Sequence, residues 1–420
     1  MSRVNSNRST AWRPDASRNH RRDPRTLCDA CPGRRSAAET EGGDSVTAGG
    51  FRVLLLSPWG SAGGYSGPLT LMNRMWSEVR RRHPDTRVTL IYRDRGVDVE
   101  PEWAHEVIPA LRSRTFGRVA QLRWMLAAAF WVVRYRDSAD VVHLQGAYLT
   151  NLVPALFARR GRVVLLPVLE DGDLGGLERS AVKRWIVRRV GLHALSGFAL
   201  SDGIARELKN AGLAPDRVAR LSNPVDPRMI ATDIDARCPR DPVRLGFVGK
   251  LGPLKNPHLL IEVGAALREI GRPCEIHFFG PFATFTMEAR LRGLVDELKL
   301  HDVVHFHGFQ SDVLPAFGEF DIFVLPSAQE GLPGSLMESF AMGKPVIVTD
   351  VGSMAEYVRR AGAGRVVRAD KDEIVQAVLG ILEADAWPTA ARNARSFASE
   401  QLDPRVVADH YVSQIERTAR

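Results

Sequence analysis

Glu330 and Glu338 stand with seven residues between them, and the intervening stretch contains Gly331-Leu332-Pro333-Gly334-Ser335. Proline and two small residues ahead of an apolar run mark a turn entering a helix. Such a helix start offers free backbone N–H groups and about half a positive charge to a phosphate. Small side chains at Gly334 and Ser335 let a ligand come close to the backbone. Lys250 and Lys255, earlier in the chain, could add two formal charges. The combination describes a cradle for a diphosphate. Taken singly, paired glutamates on a helix are usually solvated, the lysines are ordinary surface residues, and the glycines punctuate turns. Their joint placement carries the reading.

That placement follows from the elements around them. Apolar runs at Val243–Val248, Glu275–Phe279, Val303–Phe306, Ile322–Leu325 and Val346–Thr349 read as buried parallel strands separated by helical patterns. Ligands of an open parallel sheet bind beyond the carboxyl ends of its strands. Gly249, Lys250 and Lys255 follow the first run, Gly280 the second, Phe309 and Gln310 the third, Ser327 through Glu330 the fourth, and Asp350 to Gly352 the fifth. All therefore fall on one rim.

A similar series occupies the first half. It opens with FRVLLLS at Phe51 and continues at Val88–Tyr92, Val141–Leu144, Val163–Val168 and Phe198–Ser201. Two consecutive βαβ series predict an α/β protein of two doubly wound, Rossmann-like domains facing a central cleft. The expected domains are 51–228 and 242–402, joined by a Pro- and Asp-rich linker. A terminal helix over 403–420 is expected to cross back to the first domain. Residues 1–50, rich in Arg, Ser, Asp and Gly without apolar periodicity, read as a disordered basic tail.

Bulk composition narrows the function. The 420 residues are 45% hydrophobic and 25% charged, the balance of a soluble globular protein. No run reaches the roughly 20 apolar residues of a membrane span, and the start of the chain has no signal-peptide core. A cytoplasmic location is expected. The net charge of +8 suits an anionic partner. It is spread along the chain without a dense basic block, so nucleic acid is not expected. Four cysteines exclude a disulfide scaffold, and the lone Cys28-x-x-Cys31 pair lacks the partners of a zinc site.

From about Phe51 onward the chain resembles the family 4 glycosyltransferases of GT-B fold. Glu330 and Glu338, followed by AMGKPVIVTDVGS, look like that family's paired-Glu motif and the next strand. FVGKLGPLKN resembles its Gly-Arg-Leu…Lys donor motif, with Lys255 in the expected place and Lys250 where Arg is usual. A lysine there keeps the charge and loses bidentate contact with phosphate. Asn223-Pro224-Val225-Asp226 is similar to the Asn-Gly-Val-Asp closing the N-terminal domain. Gly63, Gly64 and Tyr65 resemble the glycine-rich loop after the first strand. Asp140 through Gln145 resembles an Asp-x-x-His-x-His strand end, with Gln145 replacing the second histidine.

The resemblance implies a retaining transfer of a hexose-type sugar from a nucleotide-sugar donor to a glycan, lipid-linked or small-molecule acceptor. It assigns Glu330 to the sugar hydroxyls and Glu338 to the ribose. Lys255, Lys250 and the backbone at Gly334 and Ser335 go to the diphosphate. Leu332, Gly249 and Gly280 belong to the donor pocket, and Phe309 and Gln310 border the base. Gly63, Gly64, Tyr65, His143, Gln145 and Asp171 are expected on the acceptor side, His143 also as a structural residue. No metal or cofactor is expected, because lysines and a helix end take that charge. Asp171-Gly172-Asp173 spells D-x-D but follows a first-domain strand, away from the cradle.

Arg118–Arg136 brackets an apolar, Trp-containing helix and Lys183–Arg189 surrounds Trp185. These suit either peripheral contact with an anionic membrane or a core helix with snorkelling arginines. The rival functions on these residues are a nucleotide-sugar epimerase of the same fold and a non-catalytic nucleotide-sugar-binding protein. A phosphorylase would need a pyridoxal lysine context that is missing. A dinucleotide oxidoreductase would need a G-x-G-x-x-G after a first strand, which is also missing. The base, sugar, acceptor and oligomeric state are not legible.

Overall fold

The apolar runs become two all-parallel sheets in a computed structural model. The structure describes residues 50–419 except 61–66, 97–99, 116, 169–173, 175–179, 233–238, 240 and 384. The first sheet uses β1 (Arg52–Ser57), β2 (Arg87–Asp94), β3 (Glu106–Arg112), β4 (Val141–Gln145), β5 (Val163–Leu166), β6 (Ala194–Ala199) and β7 (Val218–Arg220). Helices α1 (Gly67–Arg82), α2 (Arg118–Arg134), α3 (Leu149–Ala155), α4 (Ala181–Gly191) and α5 (Asp202–Asn210) connect them. The strand order is β3-β2-β1-β4-β5-β6-β7.

The second sheet uses β8 (Val243–Val248), β9 (Cys274–Phe279), β10 (Val304–Gly308), β11 (Ile322–Leu325), β12 (Val346–Thr349) and β13 (Gly364–Val367), in the order β10-β9-β8-β11-β12-β13. Ahead of it runs α6 (Pro227–Ala231). Between and after its strands lie α7 (Pro257–Glu269), α8 (Phe285–Glu297), α9 (Gly334–Ala341), α10 (Met354–Ala361), α11 (Lys371–Ile381) and α12 (Ala386–Gln401). The strand order of each sheet reverses beside its first strand, which opens a crevice at the carboxyl ends of β1 and β4 and of β8 and β11.

Three strands lie outside the continuous apolar runs. β3 is exposed or half-buried except at Leu111, β13 is half-buried with one exposed residue, and β7 has only three residues. Edge and near-edge strands need no unbroken hydrophobic run. The run at Phe198–Ser201 splits instead: β6 ends at Ala199, and the Ser201 hydroxyl accepts the Ile204 N–H as the cap of α5.

The chain crosses between the domains twice. Val225 and Met229 already belong to the second core, so the first crossing comes before residue 228. The last helix, α13 (Pro404–Ala419), returns and buries Val407, Ala408, Tyr411, Val412 and Ile415 in the first core. Each larger side chain so buried stabilises the fold by about 1.5–3 kcal/mol. At the crossings the Val225 N–H donates to the Leu402 carbonyl at 3.0 Å, tying the two connections together.

Candidate active site

A cavity of about 520 Å³ opens between the two sheets. The second domain supplies Val248, Gly249, Lys255, Glu330, the Gly331–Ser335 turn and Glu338. The first domain supplies Thr70, Leu71, Arg74, Val168, Leu200 and Asn223.

The turn is held from below. The Ser327 hydroxyl donates to Glu330 Oε1 at 3.2 Å, while its own carbonyl accepts from Thr349 Oγ1 at 2.6 Å. Gly352, at φ 54°, passes so close that a Cβ there would lie 2.2 Å from the Glu330 carbonyl oxygen, which leaves room for no other residue. The Ser353 N–H closes the contact by donating to the Gly331 carbonyl. Leu332 packs against both domain cores and so spans the cleft.

Helix α9 begins at Gly334 because Pro333 sets an extended entry and Leu336, Met337, Phe340 and Ala341 bury one face. No side chain caps its start, and its first turn contains no acid. The Leu336 N–H turns back to the Pro333 carbonyl, so the N–H groups of Gly334 and Ser335 are the ones placed for a ligand. Gly334 opens onto free space: a Cβ there would meet no atom within 4 Å.

Lys255 ends a short 3-10 turn after β8. Asn256 follows in the left-handed region, and its side-chain amide donates to the Pro326 carbonyl, fastening this turn to the one after β11. The Lys255 ammonium meets Glu330 Oε1 at 2.6 Å, with both side chains largely buried. Across the cleft, Arg74 of α1 donates to Glu338 Oε1 and to the Pro224 carbonyl, each at 3.1 Å. Two cations thus face the cavity, each beside a carboxylate. An entering diphosphate would find the helix start uncompensated and would have to draw Lys255 from Glu330. A second link between domains lies nearby, where the Tyr357 hydroxyl donates to the Leu200 carbonyl at 2.9 Å and Arg220 pairs with Glu356.

The structure gathers Glu330, Lys255, Glu338, Gly334, Ser335, Leu332 and Gly249 into this cavity. Other candidates lie elsewhere. Lys250 is exposed and lines none of it. Gly280 is buried at the end of β9. Phe309 is exposed after β10, and the Gln310 amide donates to the His307 carbonyl. His143 and Gln145 are fully buried, not on the cavity wall. The Tyr411 hydroxyl meets His143 Nδ1 at 2.8 Å, and His143 Nε2 lies 3.3 Å from Gln145 Oε1. Burial pushes the His143 imidazole down to about 3, so it stays neutral in the core. Gly63, Gly64, Tyr65 and Asp171 lie outside the described residues, as do Cys28 and Cys31.

Sequence reasoning missed Arg74, Thr70, Asn223, Val168 and Leu200 as lining residues. In the sequence, Asn223 and Pro224 read only as part of a domain-closing motif. The signal for Arg74 was present: α1 buries Leu71, Met72, Met75, Trp76 and Val79, yet places Thr70 and Arg74 one turn apart on another face. That helix leads away from the carboxyl end of β1.

Known proteins resemble this chain in sequence and in fold. Residues 242–384 match the family model of the glycosyl transferases group 1. A putative colanic acid biosynthesis glycosyltransferase of Salmonella typhimurium is 26% identical over 228 residues, 52% of this chain and 55% of that protein. The chain thus spans about half the length of that relative. The 2-deoxystreptamine glucosyltransferase of Streptomyces kanamyceticus is 26% identical over 344 residues, 74% of this chain and 86% of its own. Among solved structures, Anabaena HepE in complex with UDP superposes with a TM-score of 0.64 at 18% identity, covering 87% of this chain and all of that one.

Proposed function

The chain has the GT-B fold and carries a glycosyl transferases group 1 domain over residues 242–384, and we propose that it is a retaining, metal-independent hexosyltransferase using a nucleotide-sugar donor. The observation that carries the reading is the convergence of Lys255, Glu330, Glu338 and the uncapped start of α9 on one interdomain cavity. The diphosphate lies at the α9 start with Lys255 beside it. Glu330 turns to the sugar hydroxyls once Lys255 engages phosphate, and Glu338 takes the ribose hydroxyls.

As the anomeric C–O bond breaks, negative charge grows on the leaving diphosphate. A fixed ammonium and helix N–H groups in a partly dry cleft stabilise that charge in the transition state by several kcal/mol. The acceptor hydroxyl attacks the anomeric carbon from the face the phosphate leaves, and its proton passes to the departing phosphate oxygen. No step calls for a divalent cation. The UDP in HepE favours a uridine donor, and the colanic acid biosynthesis in the Salmonella relative's name favours a glycan or lipid-linked acceptor.

Helix α2 supports an acceptor at a membrane surface. It buries Trp124, Ala128 and Val132 on one face while Leu122, Leu126, Phe130 and Val133 stand exposed on the other, flanked by Arg118, Arg123 and Arg134. A helix apolar on both faces is normally buried. Helix α3 packs between it and α4, where Trp185 is exposed beside Lys183, Arg184 and Arg188. None of the helices among the described residues is long and apolar enough to cross a membrane. Peripheral seating on anionic lipid fits this surface.

The test incubates the protein with UDP-, GDP- and ADP-hexoses and lipid-linked or glycan acceptors in excess chelator, then reads the product anomer by NMR. Transfer with retention in chelator supports the proposal. Loss of transfer restored by magnesium or manganese overturns its metal independence, and an altered free sugar released without acceptor points to the epimerase.

A further inference from the structure

β9 and β10 carry a second group of chemistry-bearing side chains, on a different part of the second domain from the interdomain cavity. In a sheet covered by helices, both faces of a strand are ordinarily apolar. Ile276, Phe278 and Phe306 meet that expectation on one face, where the Phe278 and Phe306 rings stack at 5.2 Å. The alternate positions do not. Glu275 and His277 occupy one face of β9, two residues apart, and His305 and His307 occur at the same interval on β10. The parallel register sets His305 directly opposite His277.

We propose that Glu275, His277 and His305 form a binding site for a divalent transition metal of the Zn²⁺ class. One ligand atom from each of the three lies within 4.8 Å of the others. The pairing is tighter within β9, where His277 Nε2 is 3.3 Å from Glu275 Oε2. That is about the ligand-to-ligand spacing around a tetrahedral ion with metal–nitrogen and metal–oxygen bonds of about 2.0–2.2 Å. Two imidazoles and a carboxylate select zinc, cobalt or nickel over magnesium or calcium, which prefer all-oxygen shells. Three protein ligands leave a fourth position for water.

Two neighbouring contacts fit this use. His277 Nδ1 lies 3.1 Å from His307 Nε2, so the ring nitrogen turned from Glu275 has its own partner. A metal-bound histidine needs such a partner to fix its tautomer and ring plane. Arg244 lies opposite Glu275 in the register and would otherwise neutralise it. Its guanidinium is instead bonded to Asp321 at 3.1 Å. His277 is also nearly buried, so the ion would sit against the sheet and not among loose surface imidazoles. Its effect is structural: it staples the edge strand β10 to β9, below the loop carrying Phe309 and Gln310.

The experiment strips the full chain with chelator, removes the chelator, and titrates Zn²⁺ by calorimetry and Co²⁺ by visible absorption. One equivalent per chain is expected, with the d–d bands of four-coordinate cobalt and a raised melting temperature. His305→Ala, at a half-exposed position, should abolish both. His307→Ala should weaken binding by roughly 10–100-fold, as loss of an orienting partner does. His301→Ala, an exposed residue outside the cluster, should change nothing. Absence of stoichiometric uptake, or uptake that survives His305→Ala in a folded protein, overturns the site. The readout is metal content and melting temperature, so it stands or falls independently of sugar transfer.

Discussion

Arg74 of the first domain holds Glu338 of the second at 3.1 Å and anchors on the Pro224 carbonyl at the domain crossing. If Glu338 takes the donor ribose, Arg74 must release it, and the two residues should fail differently. Glu338→Ala should raise donor KM more than it lowers kcat, because the ribose is bound alike in ground and transition states. Arg74→Ala should leave donor KM unchanged or lower it, while kcat drops as the domains lose a tie. Steady-state kinetics with nucleoside diphosphate binding as a control separates them. A shared rise in KM would place Arg74 on the donor itself.

The Lys255–Glu330 pair gives a sharper contrast. Lys255→Ala should lower turnover by about a hundredfold or more, about 2.7 kcal/mol of transition-state stabilisation. Glu330→Gln should depress kcat similarly with little change in nucleotide affinity. Lys250→Ala, at an exposed position off the cavity wall, should cost at least about tenfold less than Lys255→Ala. Equal losses at the two lysines would mean that Lys250 swings into the cleft when donor binds.

Acid should weaken the first domain through His143. Buried and neutral, it takes a proton only near pH 3 when folded and near 6.5 when unfolded. Between those values the unfolded chain binds more protons, so this contribution is intact above about 6.5 and is lost as pH falls towards 3. Other histidines act in the same sense, so the diagnostic quantity is a difference. The melting temperature of His143→Gln should fall less steeply than that of the wild type between pH 7 and 5. Parallel curves would remove His143 as a source of acid sensitivity.

Leu126→Glu combined with Phe130→Glu changes only exposed positions of α2 and should leave folding and donor hydrolysis intact. It should abolish co-sedimentation with phosphatidylglycerol vesicles, which the wild type should show and phosphatidylcholine vesicles should not support. Raising salt from about 0.1 to 1 M should weaken the wild-type interaction by screening the flanking arginines. Unchanged sedimentation of the double variant would assign this face another role.

The interior strands were legible because burial on both sides imposes unbroken apolar runs, as in β1, β5 and β11. Edge strands β3 and β13 were not, since half-exposed positions carry no such constraint. In the site, Glu330, Lys255 and Glu338 could be found because each follows a strand of its own domain. The place of Arg74 off the buried face of α1 was legible, but its partner was not, for Glu338 is brought to it by packing between two domains. Of the two readings open for His143, acceptor side and structural residue, the structure favours the second, with Tyr411, far along the chain, meeting it in the core.

The return of α13 to the first domain sets the order in which the protein can be completed. Tyr411 stacks on Phe198 at 4.8 Å and meets His143 and Trp76, so the first core lacks a wall until α13 has been made. The second core takes its last residue, Leu402, just before that wall begins at Pro404. The half synthesised first is therefore the half that matures last. Its unfinished core stays exposed throughout translation of the other domain, and a stop codon just before Pro404 would disable the domain farthest from it in sequence.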